Sequence, residues 1–436
     1  MLLPNKTTYL LRISILFFLL MMLVNGRSLL GLELFGFRLG ELITGFSIIL
    51  YLFFIYKFKE LSKNFTKLFI ISNYFLLAIF ILNFIFFNYQ LNNLYIFKSS
   101  VFIWYPALFY FGYYFFSKFE LSVNIFYIGY IGLFTQYIFN VIYYPDFLYN
   151  FFNEFSDKVQ FLKGSEIGIF FLVITFFSNK YFSDKKGFIN LFILASSVYI
   201  PLSLFKSRSA GIAVVIYVVF ELLKYRKNID IRSWRFILTL FISIVLFAFT
   251  SHNLVDNTFE IEETDKAIAQ VFRHKYVVSN TYDGEMPFIY YQENRFYSAD
   301  GNLNWRLQLW QDIISNTIQS NNFYFGNGFN SRLSVFDDLI YSGLDGSNEN
   351  PHNYFINIFA RTGIIGLLIF LFYHINLFRQ PLVNFKKIEY LNFLLPLFFI
   401  SMFDGSMENP YFATTFYFCI SIFYSGLKSK PKEYTL

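Results

Sequence analysis

Residues Asn348–Gly366 read NENPHNYFINIFARTGIIG, and the fold turns on what this stretch joins. Before it lies a hydrophilic segment that begins near His252; after it the chain is apolar again to about residue 378. Asn350 is suited to cap a helix and Pro351 to be its first residue, since proline lacks the N–H that goes unpaired there. That pattern predicts His352 and Asn353 in the first helical turn, at a membrane surface and near the positive end of the helix dipole. A histidine so placed can act as a general base. The same two residues serve equally as interfacial capping groups, and local physics leaves both readings open.

Working outward, the composition is that of a membrane protein. Of 436 residues, 56% are hydrophobic, 24% aromatic and only 15% charged, and the mean hydropathy is +0.46. The single cysteine, Cys419, lies in an apolar run, which excludes a disulfide framework and a cysteine metal site. The four histidines show no metal-ligand spacing.

Apolar runs of about 20 residues, the length that crosses a bilayer, fall at about 9–24, 39–56, 68–88, 99–117, 121–143, 165–182, 187–205, 209–225 and 233–251. Three more follow at 353–378, 390–404 and 410–427. The first run ends in Asn25-Gly26-Arg27 rather than a small-residue cleavage site, and is read as an uncleaved span. The expected fold is all-α: a polytopic membrane protein with about 12 transmembrane helices and one large extracytoplasmic loop between helices 9 and 10. Three regions follow: an N-terminal bundle over 1–251, the partly helical loop over 252–351, and C-terminal helices with a tail over 352–436.

Lys and Arg set the orientation. Alternate connections collect Lys57, Lys59, Lys63 and Lys67, then Lys180, Lys185 and Lys186, then Lys224, Arg226 and Lys227, then Arg379, Lys386 and Lys387. The opposite connections are poor in cations, which places both termini in the cytoplasm and 252–351 outside it. That segment has six Lys and Arg against fourteen Asp and Glu; six minus fourteen gives −8. Its few arginines therefore stand out. Within it, Asn304–Ile318 puts Leu303, Leu307, Trp310, Ile314 and Ile318 on one helical face. Two tryptophans suit a membrane interface. The FGNGFNSRL that follows gives a turn signal at Gly326 and Gly328.

Three points on the outer side are candidates for chemistry. Arg208, in the short Lys206-Ser207-Arg208-Ser209 turn, either grips a diphosphate with its planar guanidinium or anchors a helix end. Arg306, on the tryptophan helix, is either a ligand for that group or a surface charge. The third point is His352 with Asn353. Arg361 lies within the last long apolar helix, where an arginine is functional or paired. A helix break at Thr362-Gly363 would leave it beside a water-filled cavity, with Asp404 and Glu408 as candidate partners.

A many-spanning chain with SRSA in an outer turn, one late extracytoplasmic loop and then PHNYFINIFARTGIIG resembles the O-antigen polymerase and ligase superfamily. The motifs that carry the likeness are Arg208, the stretch from Trp305 to Gly328, and His352-Asn353 followed by Gly363 and Gly366. The resemblance covers about residues 160–400. It implies a glycosyltransferase that uses a polyprenyl-diphosphate-linked oligosaccharide at the outer face of a bacterial inner membrane. His352 becomes the catalytic base, and Arg208, Arg306, Asn353, Lys163 and Arg361 become the diphosphate or substrate ligands, with no metal and no other cofactor. Membrane lipids and a chain-length regulator protein are the further partners, and nucleic acid is not one. A polymerase is the first expectation and a ligase onto lipid A core the alternative. A lipid-linked oligosaccharide flippase fits less well, because the charge lies at the rim rather than the midplane.

The orientation is tested by single-cysteine labelling with an impermeant reagent. Cysteines placed within 252–351 should react in intact spheroplasts and those in 57–67 only after permeabilisation; the reverse pattern would overturn the topology.

Overall fold

The computed structural model describes residues 6–61, 65–87, 93–117, 123–156, 162–182, 186–226, 232–256, 288–338, 340–342, 348–385, 390–402 and 405–425. Among these, helices occupy Lys6–Asn25, Leu39–Leu61, Lys67–Phe86, Ala107–Ser117, Val123–Tyr137, Gly164–Phe182, Lys186–Lys206, Arg208–Tyr225, Trp234–Asp256, Tyr354–Phe385, Leu391–Met402 and Pro410–Ser425. Each lies on an apolar run named above. Six carry a window long and apolar enough to cross a membrane: Leu39–Lys57, Lys67–Phe86, Val123–Ile142, Gly187–Lys206, Trp234–Leu254 and Tyr354–Arg379. The chain is an all-α membrane protein; the total of about twelve spans belongs to the proposed topology. The run at 99–117 is divided into Val101–Trp104 and Ala107–Ser117. Pro106 lies in the gap, where it can neither donate to the helix ladder nor leave room for the carbonyl four residues back.

The chain divides into two compact units. The first comprises Met1–Lys63, Trp104–Thr258 and Phe378–Leu436. Its aromatic content is packed rather than displayed: Phe176 stacks on Phe393 with ring centroids 4.5 Å apart, and Phe171 on Tyr199 at 5.1 Å. Several buried tyrosines find hydrogen-bond partners for their hydroxyls, which offsets the cost of enclosing a phenol. Tyr137 meets Thr250 at 2.8 Å and Tyr199 donates to Gln136 at 2.7 Å.

The second unit comprises Asn64–Ile103 and Phe259–Leu377. It therefore groups the Lys67–Phe86 helix with most of the hydrophilic segment and with the start of the Tyr354–Phe385 helix, across the three-part division by sequence. Within it, the Gly301–Gln319 helix is capped by Asp300, whose side chain accepts from Leu303 N at 2.9 Å. An antiparallel hairpin, Ile289–Gln292 with Arg295–Ser298, turns through Glu293 and Asn294, both at positive φ. The hairpin is tied to the helix by the Arg295–Asp312 ion pair at 2.6 Å.

The buried face of this helix differs from the expected one. Leu309, Ile313 and Thr317 are fully enclosed, whereas Ile314 is 37% and Ile318 49% exposed. Leu309 and Ile313 pack on Leu333, Phe336, Tyr341 and Ala360, with Trp305 and Trp310 at the edge. Two apolar stripes run along the sequence, and periodicity alone does not say which one tertiary contacts will cover.

Of the two readings of the last long helix, unbroken past Arg361 or broken at Thr362-Gly363, the structure has the break. Gly363 has φ 65° and ψ −169°, outside helical space. The backbone groups freed at the break are taken up by the loop after the Gly301–Gln319 helix. Asn327 N donates to Ala360 O at 2.7 Å and Gly328 N to Arg361 O at 3.0 Å. In return Ile364 N donates to Phe323 O at 2.8 Å. Backbone approach this close requires glycine on both sides. A Cβ on Gly326 would fall on the Arg361 carbonyl, and one on Gly363 on that of Tyr324.

Gly363→Ala should therefore lower the thermal midpoint in detergent sharply. The dihedral angles alone cost about 1–3 kcal/mol in a residue with a side chain, before the clash. Gly187→Ala, where a Cβ meets open space, is the matched control and should melt like wild type. A Gly363→Ala protein as stable as that control would show that the loop does not hold the break.

Candidate active site

In the second unit, the NPHNY turn is built differently from the pattern expected of it. The helix begins at Tyr354, not Pro351. Asn353 is the capping residue: its side-chain oxygen accepts from Phe355 N at 3.1 Å and Ile356 N at 3.3 Å. Asn350 closes the preceding turn instead, accepting from His352 N at 2.7 Å. With two asparagines three residues apart, either can cap, and the one nearer the apolar run does so. His352 consequently precedes the helix with φ 54°, in the left-handed region.

Two indoles clamp this turn. Trp310 Nε1 donates to Pro351 O at 2.6 Å, and the Trp305 ring meets His352 edge-on at 5.5 Å. Trp305 is itself fixed by donating to Ile340 O at 3.1 Å. Arg306 follows on the same helix, half-buried. The helix that carries Arg306 is thus packed against the turn that carries His352. Tyr341, beneath Trp305, donates to the Asp312 carboxylate. Burial, reinforced by that carboxylate, holds its phenol well above the usual range.

Arg361 is buried, and its guanidinium faces the loop. Nη1 donates to Ser331 O and, at 3.3 Å, to Gly328 O; Nη2 donates to Tyr95 OH at 2.9 Å. These described partners are carbonyls and a phenol, where carboxylates had been expected. Asp404 lies outside the described residues, and Glu408 belongs to the other unit. The cation bridges the FNS portion of the loop to the Tyr95–Ser99 helix.

The first unit carries Lys163 and Arg208. Lys186–Lys206 and Arg208–Tyr225 are separated by Ser207 alone, and Arg208 is exposed at the start of the second helix. Gly164, which opens the Gly164–Phe182 helix, lies so close to Ser207 that a Cβ there would strike its Cβ and approach its amide nitrogen to 2.9 Å. The two turns bearing Lys163 and Arg208 are therefore in contact. Beneath them lies a residue that sequence reasoning passed over. Glu166 is wholly buried and pairs with Arg27 Nε at 2.6 Å. It also accepts from Asn409 Nδ2 at 2.7 Å and from Lys163 N at 3.1 Å. The signal was present, since a carboxylate opening an apolar helix needs a named partner. Among the described residues no group of three His, Cys, Asp or Glu side chains is placed to hold a metal ion.

These features define a helical membrane protein with a histidine turn clamped by tryptophans in its second unit and, in its first, two contacting turns that carry basic residues. Residues 191–371 match the family model described as O-Antigen ligase, in agreement with the resemblance to the O-antigen polymerase and ligase superfamily. The match includes Arg208, Arg306, His352, Asn353 and Arg361, and stops short of Lys163. No curated protein matches the chain. The family implies an enzyme of the glycosyltransferase kind.

The left-handed backbone at His352 can be separated from its imidazole. His352→Asn and His352→Gly should melt with wild type, because both residues tolerate that conformation. His352→Val should lose about 1–2 kcal/mol, because a β-branched side chain tolerates the left-handed region worst. Equal melting of all three would mean that the turn relaxes freely.

Proposed function

We propose that this protein is a surface-polysaccharide polymerase that joins polyprenyl-diphosphate-linked oligosaccharide units at the outer face of the bacterial inner membrane, both termini being cytoplasmic. The observation that carries the reading is the placement of His352: ahead of the helix, wedged against Trp305, one residue from Arg306 on a packed helix. An acceptor hydroxyl has a high pKa and needs a base at its proton as it attacks the anomeric carbon. His352 takes that proton. The anomeric C–O bond breaks, and the departing polyprenyl diphosphate keeps the electron pair. Arginine can hold that developing charge without a metal, because a planar guanidinium matches phosphate oxygens in pairs. Arg306 is assigned this role in the second unit, and Arg208 with Lys163 in the first.

Asn353 supports the base through the backbone it caps, and Arg361 through the loop it braces. Membrane lipids surround the protein, and a chain-length regulator protein is its expected partner. The second reading is a ligase that delivers the glycan to lipid A core, and the description of the matching family favours it.

One assay separates them. Purified protein is given a defined lipid-linked repeat unit in the presence of EDTA. Ladders of lipid-linked oligomers support the polymerase; product only on addition of lipid A core assigns the ligase. In either case His352→Asn should keep its fold and lose a factor of about 10²–10⁴ in turnover. Turnover near wild type in that variant would remove the histidine from the mechanism.

A further inference from the structure

We propose that Arg27 is a third cation of the donor-diphosphate site and that Glu166 is its positioning residue, an assignment that rests on the lipid-diphosphate donor proposed above. Three turns of the first unit meet around one buried carboxylate. The Lys6–Asn25 helix is followed by Gly26 at φ 57°, where a Cβ would strike the Leu162 side chain and lie 3.6 Å from the Glu166 carboxylate. Arg27 follows at once. Glu166 accepts from Arg27 with one oxygen and from Lys163 N with the other, so a single carboxyl group spans the two turns. The third turn, Ser207-Arg208, packs on Gly164.

The way Arg27 is held distinguishes a ligand from a counter-ion. A guanidinium whose only task is to neutralise a buried carboxylate gains most from the two-pronged arrangement, with two parallel N–H···O bonds. Arg27 instead meets Glu166 through Nε, and among the described residues its two terminal nitrogens have no hydrogen-bond partner. The side chain is 18% exposed while Glu166 is not exposed at all. Asn409 and Lys163 N take up two further acceptor positions of the carboxylate. Glu166 is thus held by three donors, and the forked end of Arg27 is left for an anion beside the turns that carry Lys163 and Arg208. Two adjacent phosphates match a fork beside further cations better than one does, so the site should prefer a diphosphate to a monophosphate.

The test uses the purified full-length protein in phosphatidylcholine nanodiscs, titrated with undecaprenyl diphosphate and, separately, undecaprenyl monophosphate. Arg27→Gln should weaken diphosphate binding about 10- to 100-fold, the range for losing a charged hydrogen-bond pair, and affect the monophosphate less. Arg27→Lys should recover little of it, because lysine is a point charge. Glu166→Gln should lower the diphosphate preference while Arg27 itself is retained. Unchanged diphosphate affinity in Arg27→Gln overturns the assignment and leaves Arg27 as a counter-ion. Should that variant fail to fold, the Arg27→Gln, Glu166→Gln double variant, which buries no unpaired charge, decides by the same comparison. Failure of the wild-type protein to bind undecaprenyl diphosphate overturns the donor reading together with this one, whereas wild-type binding that is indifferent to Arg27 overturns this one alone.

Discussion

The second unit depends on a helix that is broken and repaired. A break in a membrane helix exposes amide and carbonyl groups that hydrocarbon cannot satisfy, each at a cost of several kcal/mol. Here Ala360 and Arg361 give up their carbonyls, and Ile364 its amide, to the backbone of Phe323–Gly328. The exchange fixes the loop as firmly as it mends the helix. From that anchor the rest follows: Asn327 reaches Thr317, Arg361 reaches Ser331 and Tyr95, and the Gly301–Gln319 helix is drawn against the turn that holds His352.

Buried charge organises the first unit in a comparable way. Breaking a buried ion pair by removing one partner is strongly destabilising, because the other charge is left in a low-dielectric interior. Glu166 avoids that state with three donors from three separate parts of the chain, Arg27, Lys163 and Asn409. Residues that are far apart in sequence are in this way made to share one surface. The arrangement specifies geometry more than it adds stability, since a well-packed apolar group of the same size could be as stable.

Much of this was legible in the residues and some was not. Helix positions were readable because apolar runs of membrane length have few other uses, and the break at Gly363 because an arginine beside a glycine fits an unbroken span poorly. The start of the last helix was misplaced by three residues, since Asn350 and Asn353 are equally good caps and only the competing turn at His352 decides between them. The face of the Gly301–Gln319 helix was misread because Trp305, Leu309 and Ile313 form a second stripe as apolar as the first. The role of the G-x-G was invisible: Gly326 and Gly328 announce a turn, but nothing local says that the turn will complete a distant helix. Arg361 was expected to seek carboxylates, and the loop carbonyls that it found exist only once that loop has folded.

The repair of the helix by main chain has a consequence for how such a protein can diversify. Main-chain bonds are indifferent to most side chains, so the anchor restricts identity chiefly where a Cβ would intrude, at Gly326 and Gly363, and where φ is positive, as at Gly328. Phe323 and Tyr324, whose carbonyls enter it, and Phe325 beside them are partly or largely exposed. A lineage can therefore rewrite the surface of the loop without disturbing the framework that keeps the histidine in place.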